Sequence, residues 1–229
     1  MGTARSIHIG MSFGSSAPDY DGENLASSLA RWAEDAGYSP TLLIGAEATN
    51  KDVVVAEIEK AAKELVPGDC LLITYTGHGG RAKDENGDEL GHATTSNGHE
   101  NGEKPTDSTW CLNGGDLSDD ELAEKLSAIR RGVRVVVIVD SCYSQTMVEA
   151  STQDGDVLFI AAAPDNSTVD AGRLSHYLVN ELPKHKGETW WTLLMRMRES
   201  FKSFDWQGPY FPRSPDPHSA GLPLYLRGR

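Results

Sequence analysis

The chain has 229 residues, room for one domain or two small ones, and enough to bury a full core without disulfides or a structural metal. Its 34 acidic against 21 basic residues leave a formal net charge of −13, which a phosphate backbone would repel, so nucleic acid is excluded as a first partner. At 38% hydrophobic and 24% charged it is too apolar for wholesale disorder, and no run approaches the roughly 18 apolar residues of a membrane span. Residues 1–6 lack the apolar stretch of a secretory signal; they fit the loose M-G-x-x-x-[ST] acylation pattern, but Ser6 serves equally well to open a strand. Three cysteines (Cys70, Cys111 and Cys142) are an odd number without framework spacing. They point to free thiols in a reducing compartment, and the expected location is the cytoplasm.

Residues 6–11 form a short β-type run. Residues 23–36 follow with Leu25, Leu29 and Trp32 at helical spacing and Gly37 as a stop, and 41–44 read as a second strand. Thr49 to Asp52 has the spacing of a capping box, ahead of a helical stripe through Val54, Ile58, Ala61, Ala62 and Leu65 that Pro67-Gly68 ends. CLLITY at 70–75 is apolar enough for a buried parallel strand. Residues 77–116 are rich in Gly, Asn, Asp, Glu and Thr and read as a long loop, with Trp110-Cys111-Leu112 alone resembling a strand; a loop of this length in a compact domain is usually functional or disordered. Ser118 to Glu121 is a second capping box, opening a helix with Leu122, Leu126 and Ile129 inward. RVVVIV at 134–139 and residues 157–162 are further strands, and helices are expected at 173–182 and 189–201. Residues 207–223 carry five prolines and should be irregular before a last strand at 224–226. Strand–helix alternation predicts an α/β sandwich, a mostly parallel sheet of about six strands covered by helices on both faces, as one domain over 1–229.

In such sheets functional groups collect beyond the carboxyl ends of strands. CLLITY runs into Thr76-Gly77-His78-Gly79-Gly80, and RVVVIV into Asp140-Ser141-Cys142-Tyr143-Ser144. If the two strands are neighbours, a histidine flanked by glycines meets a cysteine at one sheet edge. A thiolate is the nucleophile, an imidazole can hold it or protonate a leaving amine, and glycine amides can face a developing oxyanion. A buried strand-end cysteine is by itself more often structural, so the joint placement carries the reading. Zinc is the other use of His78, His92, His99, Cys111 and Cys142, but these show no paired short ligand spacing.

YTGHGG at 75–80, DDEL at 119–122 and DSCYS at 140–144 together resemble the metacaspases and their bacterial relatives, in the caspase-like clan of cysteine peptidases. The resemblance runs over nearly the whole chain. It implies a caspase-like sandwich with Cys142 as nucleophile, His78 as general acid/base, and the amides of Gly79 and Cys142 as oxyanion hole. It also implies cleavage after Arg or Lys, with Asp140 and Thr76 lining the pocket for that residue. The family's C-x-N-D stretch reads here as Asp21-Gly-Glu-Asn24, with Asn24 in place of Asp and Asp21 in place of Cys, and Asp19 is close by. Calcium, as an activator rather than an obligatory cofactor, is implied at Asp107, Asp119, Asp120 and Glu149; Asp119 and Asp120 also suit a helix N-terminus. The family usually has His-Ser-Gly after the cysteine, where this chain has Tyr143-Ser144-Gln145.

Residues 135–172 contain no Lys or Arg, so an enzyme specific for basic residues could not cut itself where caspases separate their subunits. The expectation is a monomeric single chain acting on polypeptides, without nucleic-acid or membrane partners, with any self-cleavage at Arg81, Lys83 or Lys104. Three alternatives stand beside it. One is a same-clan peptidase with another preference, such as Asp, for which Asp154 and Asp156 would be processing sites. Another is a catalytically silent caspase-like regulatory or binding module. The third is a nucleotide or flavin binder, for which Gly10 to Gly14 is too sparse a fingerprint.

Overall fold

The computed structural model describes residues 2–12, 21–83, 106–144, 147, 157–163, 168–170, 172–201 and 222–226. Five strands form a parallel sheet: β1 (Ala4–Gly10), β2 (Ser39–Ile44), β3 (Cys70–Thr76), β7 (Arg134–Asp140) and β8 (Val157–Ala161), in the order β2-β1-β3-β7-β8. Three more, β4 (Gly79–Lys83), β5 (Thr106–Leu112) and β6 (Gly115–Ser118), make a separate antiparallel sheet. The helices are α1 (Gly22–Ala36), α2 (Gly45–Ala48), α3 (Lys51–Glu64), α4 (Asp119–Ser127), α5 (Arg173–Glu181) and α6 (Trp190–Phe201). No helix among the described residues is long and apolar enough to cross a membrane.

The sheet divides the core by strand alternation. Ile7, Ile9, Leu71, Ile73, Tyr75, Val135, Val137 and Val139 face one side, where Val54, Ile58 and Ala61 of α3 and Leu122 and Leu126 of α4 pack. Leu72, Val136, Ile138, Leu158 and Ile160 face the other, against Leu29 and Trp32 of α1, Leu174 and Leu178 of α5, and Trp190, Leu193 and Leu194 of α6. Trp32 meets Trp190 edge-on at 5.8 Å, tying the first helix to the last. Both faces of β3 and β7 are therefore buried, which is why these strands read as unbroken apolar runs.

Three local expectations need correction. Asn50, not Thr49, caps α3, its side chain accepting from the Asp52 amide at 3.0 Å. Thr49 instead closes the one-turn helix α2, and its hydroxyl donates to the Gly45 carbonyl. The long loop is in part the β4–β5–β6 sheet: β4 (GGRAK) has no apolar alternation to reveal it, and its place comes from backbone pairing with β5, which Trp110 and Leu112 anchor in the core. The parallel sheet has five strands among the described residues. At 224–226 there is no strand; the Leu224 amide donates to the Glu188 carbonyl and the Leu222 carbonyl accepts from the Trp190 amide, leaving one bridge between Thr189 and Pro223. Residues 84–105, 145–146, 148–156 and 202–221, with His92, His99, Lys104, Glu149, Asp154 and Asp156, lie outside the described residues, as does Asp19.

Candidate active site

β3 and β7 are adjacent and in register from Cys70 opposite Arg134 to Thr76 opposite Asp140. The Gly77 amide extends the ladder by donating to the Asp140 carbonyl at 3.2 Å. His78 and Cys142 each follow that last rung by two residues, so both come to the carboxyl edge between the same two strands.

The turn carrying His78 is held from below. Tyr75 is buried, its ring stacked on Trp110 with centroids 4.6 Å apart and planes 6° from parallel. Its hydroxyl donates to the His78 carbonyl at 2.7 Å, and the Cys111 amide donates to the same oxygen at 3.0 Å. A side chain at residue 77 would overlap the Tyr75 hydroxyl, so glycine is required there. Gly79 is required for a different reason: its Cα lies against the Cys142 carbonyl, where a Cβ would overlap the oxygen. The His78 side chain is exposed, and partial burial of the imidazole lowers its pKa.

The turn carrying Cys142 is pinned at its far end. Ser144, fully buried, accepts from the Ala163 amide at 3.0 Å and donates to the Ala163 carbonyl at 3.2 Å, tying the turn to the end of β8. Tyr143 sits at φ 52, in the left-handed region that a side chain makes costly by about 1–2 kcal/mol. The Arg81 guanidinium lies 4.7 Å above its ring, a contact worth roughly 0.5–1 kcal/mol at an exposed site. The Cys142 sulfur is 3.9 Å from the Val169 carbonyl, just ahead of α5. Cys70, Cys111 and Cys142 are all free thiols.

Asp140 is 1% exposed. Its Oδ2 accepts from the Ser175 amide, in the first turn of α5, at 2.7 Å, while Oδ1 makes no hydrogen bond among the described residues. Burial pushes its pKa up to about 6, opposed by the Ser175 and Leu174 amides and the Ser175 hydroxyl. Thr76, also buried, has its hydroxyl 2.8 Å from that of Ser175. Ser175 therefore touches both members of the last rung, and the sequence carries no signal for it: the N-cap of α5 is Gly172, and Ser175 reads as an ordinary helix residue.

Asp21 and Asn24 are exposed beyond the end of β1. Asp21 caps α1, accepting from the Asn24 amide at 2.9 Å, from the Asn24 side-chain amide and from the Ser12 hydroxyl at 3.3 Å. The structure thus gives this acid a helix-capping task that its spacing did not announce. Asp107 and Asp119 are buried at the joint of β5 and α4, and Asp120 follows. Asp119 accepts from the Ser108 and Asp120 amides, each at 3.0 Å. Burial first, then the charges of Asp107 and Asp120, push its pKa up to about 7. Among the described residues no group of three or more His, Cys, Asp or Glu is placed to hold a metal ion.

The family model for the metacaspase, peptidase C14 domain matches residues 34–151, more than half of the chain. Metacaspase-1B of Aspergillus niger is 33% identical over 100 residues, which cover 44% of this chain and 21% of that protein. Metacaspase-1 of Kluyveromyces lactis is 33% identical over 87 residues, 38% of this chain and 18% of that one, so the chain matches about a fifth of these relatives' length. Among solved structures, protein GSU0716 from Geobacter sulfurreducens superposes with a TM-score of 0.71 at 24% identity, covering 97% of this chain and 98% of that one. Caspase-1 from Spodoptera frugiperda gives 0.59 at 12% identity, covering 91% and 80%. The structural likenesses establish a caspase-like α/β fold, and the match over residues 34–151 establishes the lineage: the chain belongs to the metacaspase family of C14 peptidases.

Proposed function

We propose that the chain is a cysteine endopeptidase that cleaves after Arg or Lys through Cys142 and His78. The observation that supports this most is the shared rung: β3 and β7 end together at Thr76 and Asp140, and His78 and Cys142 both stand two residues beyond. His78 takes the Cys142 thiol proton, and the sulfur attacks the scissile carbonyl carbon, forming a C–S bond as the carbonyl electron pair moves to oxygen between the amides of Gly79 and Cys142. The C–N bond then breaks and His78 gives its proton to the departing amine, leaving a thioester. Water attacks that thioester, passing its proton to His78; the C–S bond then breaks and His78 returns that proton to the sulfur, restoring the thiol. Lowering the imidazole pKa makes its protonated form a better acid toward the amine, which favours the donating half of this cycle.

Asp140 supplies the negative charge for a basic side chain before the scissile bond, with Thr76 beside it and Asp21 and Asn24 at the rim. Calcium activation belongs to the same proposal. The family resemblance assigns the ion to Asp107, Asp119, Asp120 and Glu149; the first three are not grouped to hold it as they stand, so binding would have to draw them together, and buried Asp119, raised by burial and by neighbouring negative charge, is a group that such an ion would stabilise in its ionised form. The enzyme acts on polypeptides as a monomeric single domain in the cytoplasm, with no nucleic-acid or membrane partner. The test is hydrolysis of matched fluorogenic peptides ending in Arg, Lys or Asp, with calcium or chelator, by wild type and Cys142→Ala. Cleavage after Arg or Lys that the substitution abolishes is expected. Cleavage after Asp alone, or equal turnover by Cys142→Ala, would sink the proposal.

A further inference from the structure

We infer that Ser175 is a positioning residue for the pocket of the basic side chain, holding Asp140 and Thr76 so that one Asp140 oxygen is left for the substrate's cation. This rests on the reading of Asp140 as that cation's seat.

Asp140 caps the first turn of α5, but that task does not call for a buried acid. Helices α3 and α4 are capped by the uncharged side chains of Asn50 and Ser118 and α1 by the exposed carboxylate of Asp21, each from the residue just before the helix. At α5 the N-cap is Gly172, which offers no side chain, and the acceptor comes from the end of a distant strand as a charged group. Partial positive charge at a helix N-terminus offsets only part of the cost of burying a carboxylate. Oδ1, without a hydrogen bond among the described residues, is left to meet a donor from outside.

Ser175 controls which oxygen that is. Its amide takes Oδ2 at 2.7 Å, and its hydroxyl lies 2.8 Å from that of Thr76, the residue paired with Asp140 across the β3–β7 ladder. Ser175 is 1% exposed, so neither bond competes with bulk water. Removing either hydroxyl breaks the link that ties the first turn of α5 to the last rung, so Asp140 is held less firmly and Oδ1 is no longer fixed toward the substrate's cation. Arg and Lys binding should then weaken, while Cys142 and His78, carried by other turns, keep their chemistry.

The test compares kcat and KM for Arg and Lys peptides among wild type, Ser175→Ala, Thr76→Val and the double variant, with Cys142 alkylation by iodoacetamide as a control on the nucleophile. Expected are a KM increase of about tenfold for Ser175→Ala, kcat within about twofold, unchanged alkylation, and a double variant no worse than the more affected single one, because both remove the same hydroxyl contact. A fall in kcat with KM unchanged, or single effects that multiply in the double variant, would overturn the inference alone. Should Ser175→Ala fail to fold, Thr76→Val must show the KM increase by itself, and a normal KM there overturns it equally. A wild type that cleaves after neither Arg nor Lys overturns the underlying reading and this inference with it.

Discussion

Replacing Asp140 by Asn should make the protein more stable at neutral pH while abolishing cleavage after basic residues. The folded-state pKa of Asp140 is raised from 3.8 to about 6, so its ionised form is disfavoured by folding. Its contribution to stability is fully present below pH 3.8 and is lost as pH rises through about 6. At roughly 1.4 kcal/mol per pH unit, carrying the ionised carboxylate at pH 7.5 costs the fold on the order of 3 kcal/mol. Asparagine keeps an oxygen for the Ser175 amide but brings an NH2 group with no acceptor of its own, a cost of about 1–2 kcal/mol. The net expectation at pH 7.5 is a gain of about 1–2 kcal/mol, read as a melting temperature higher by roughly 2–8 °C in a chain of this size. Urea denaturation at pH 7.5 and pH 5 is the assay. At pH 5 only about half of the charge cost remains, about 1.6 kcal/mol, which the stranded NH2 group offsets, so the gap between variant and wild type should narrow there to near zero. A variant less stable at both pH values, or a gap that ignores pH, would refute the claim that Asp140 is an only partly compensated buried charge kept for binding.

Gly79→Ala places a Cβ on the Cys142 carbonyl oxygen and should lower kcat/KM by at least about 100-fold, the scale of losing an oxyanion donor, without unfolding the chain by circular dichroism. His8 is buried, with Nδ1 2.9 Å from the Thr74 hydroxyl, and burial lowers its pKa from 6.5 to about 3. Folding therefore resists its protonation, and stability should fall as pH drops below 6.5 at up to about 1.4 kcal/mol per unit. His8→Leu should flatten that acid limb in denaturation curves between pH 6.5 and 4; curves parallel to wild type would reject the assignment. Incubated wild type should stay uncut across residues 135–172, which hold no Lys or Arg, with any self-cleavage falling at Arg81, Lys83 or Lys104, as intact-mass spectrometry would check.

Much of this architecture was legible because burial on two faces writes itself as long apolar runs. CLLITY and RVVVIV announced β3 and β7, and the residues directly after them mark the candidate dyad. The Ser118 capping box predicted the start of α4 correctly because local side chain–backbone bonding leaves a local signature. What stayed hidden was set by partners distant in sequence. β4 is a strand through its pairing with β5, some thirty residues on, and nothing in GGRAK alternates. Ser175 lies 99 residues from Thr76 and 35 from Asp140, so only the folded chain shows the three together. Asp21 reads from the sequence only as a pocket residue, and its bonds to Asn24 show that it caps α1.

The most direct test of the account is covalent capture. A peptide ending in arginine and bearing a thiol-reactive ketone should be incubated with the protein, and the labelled residue located by peptide mass spectrometry among Cys70, Cys111 and Cys142. The account predicts a single label on Cys142, slowed strongly by His78→Ala and by Asp140→Asn. Label on Cys111 or Cys70 with Cys142 unmodified, or label on Cys142 at an undiminished rate in both variants, would contradict it.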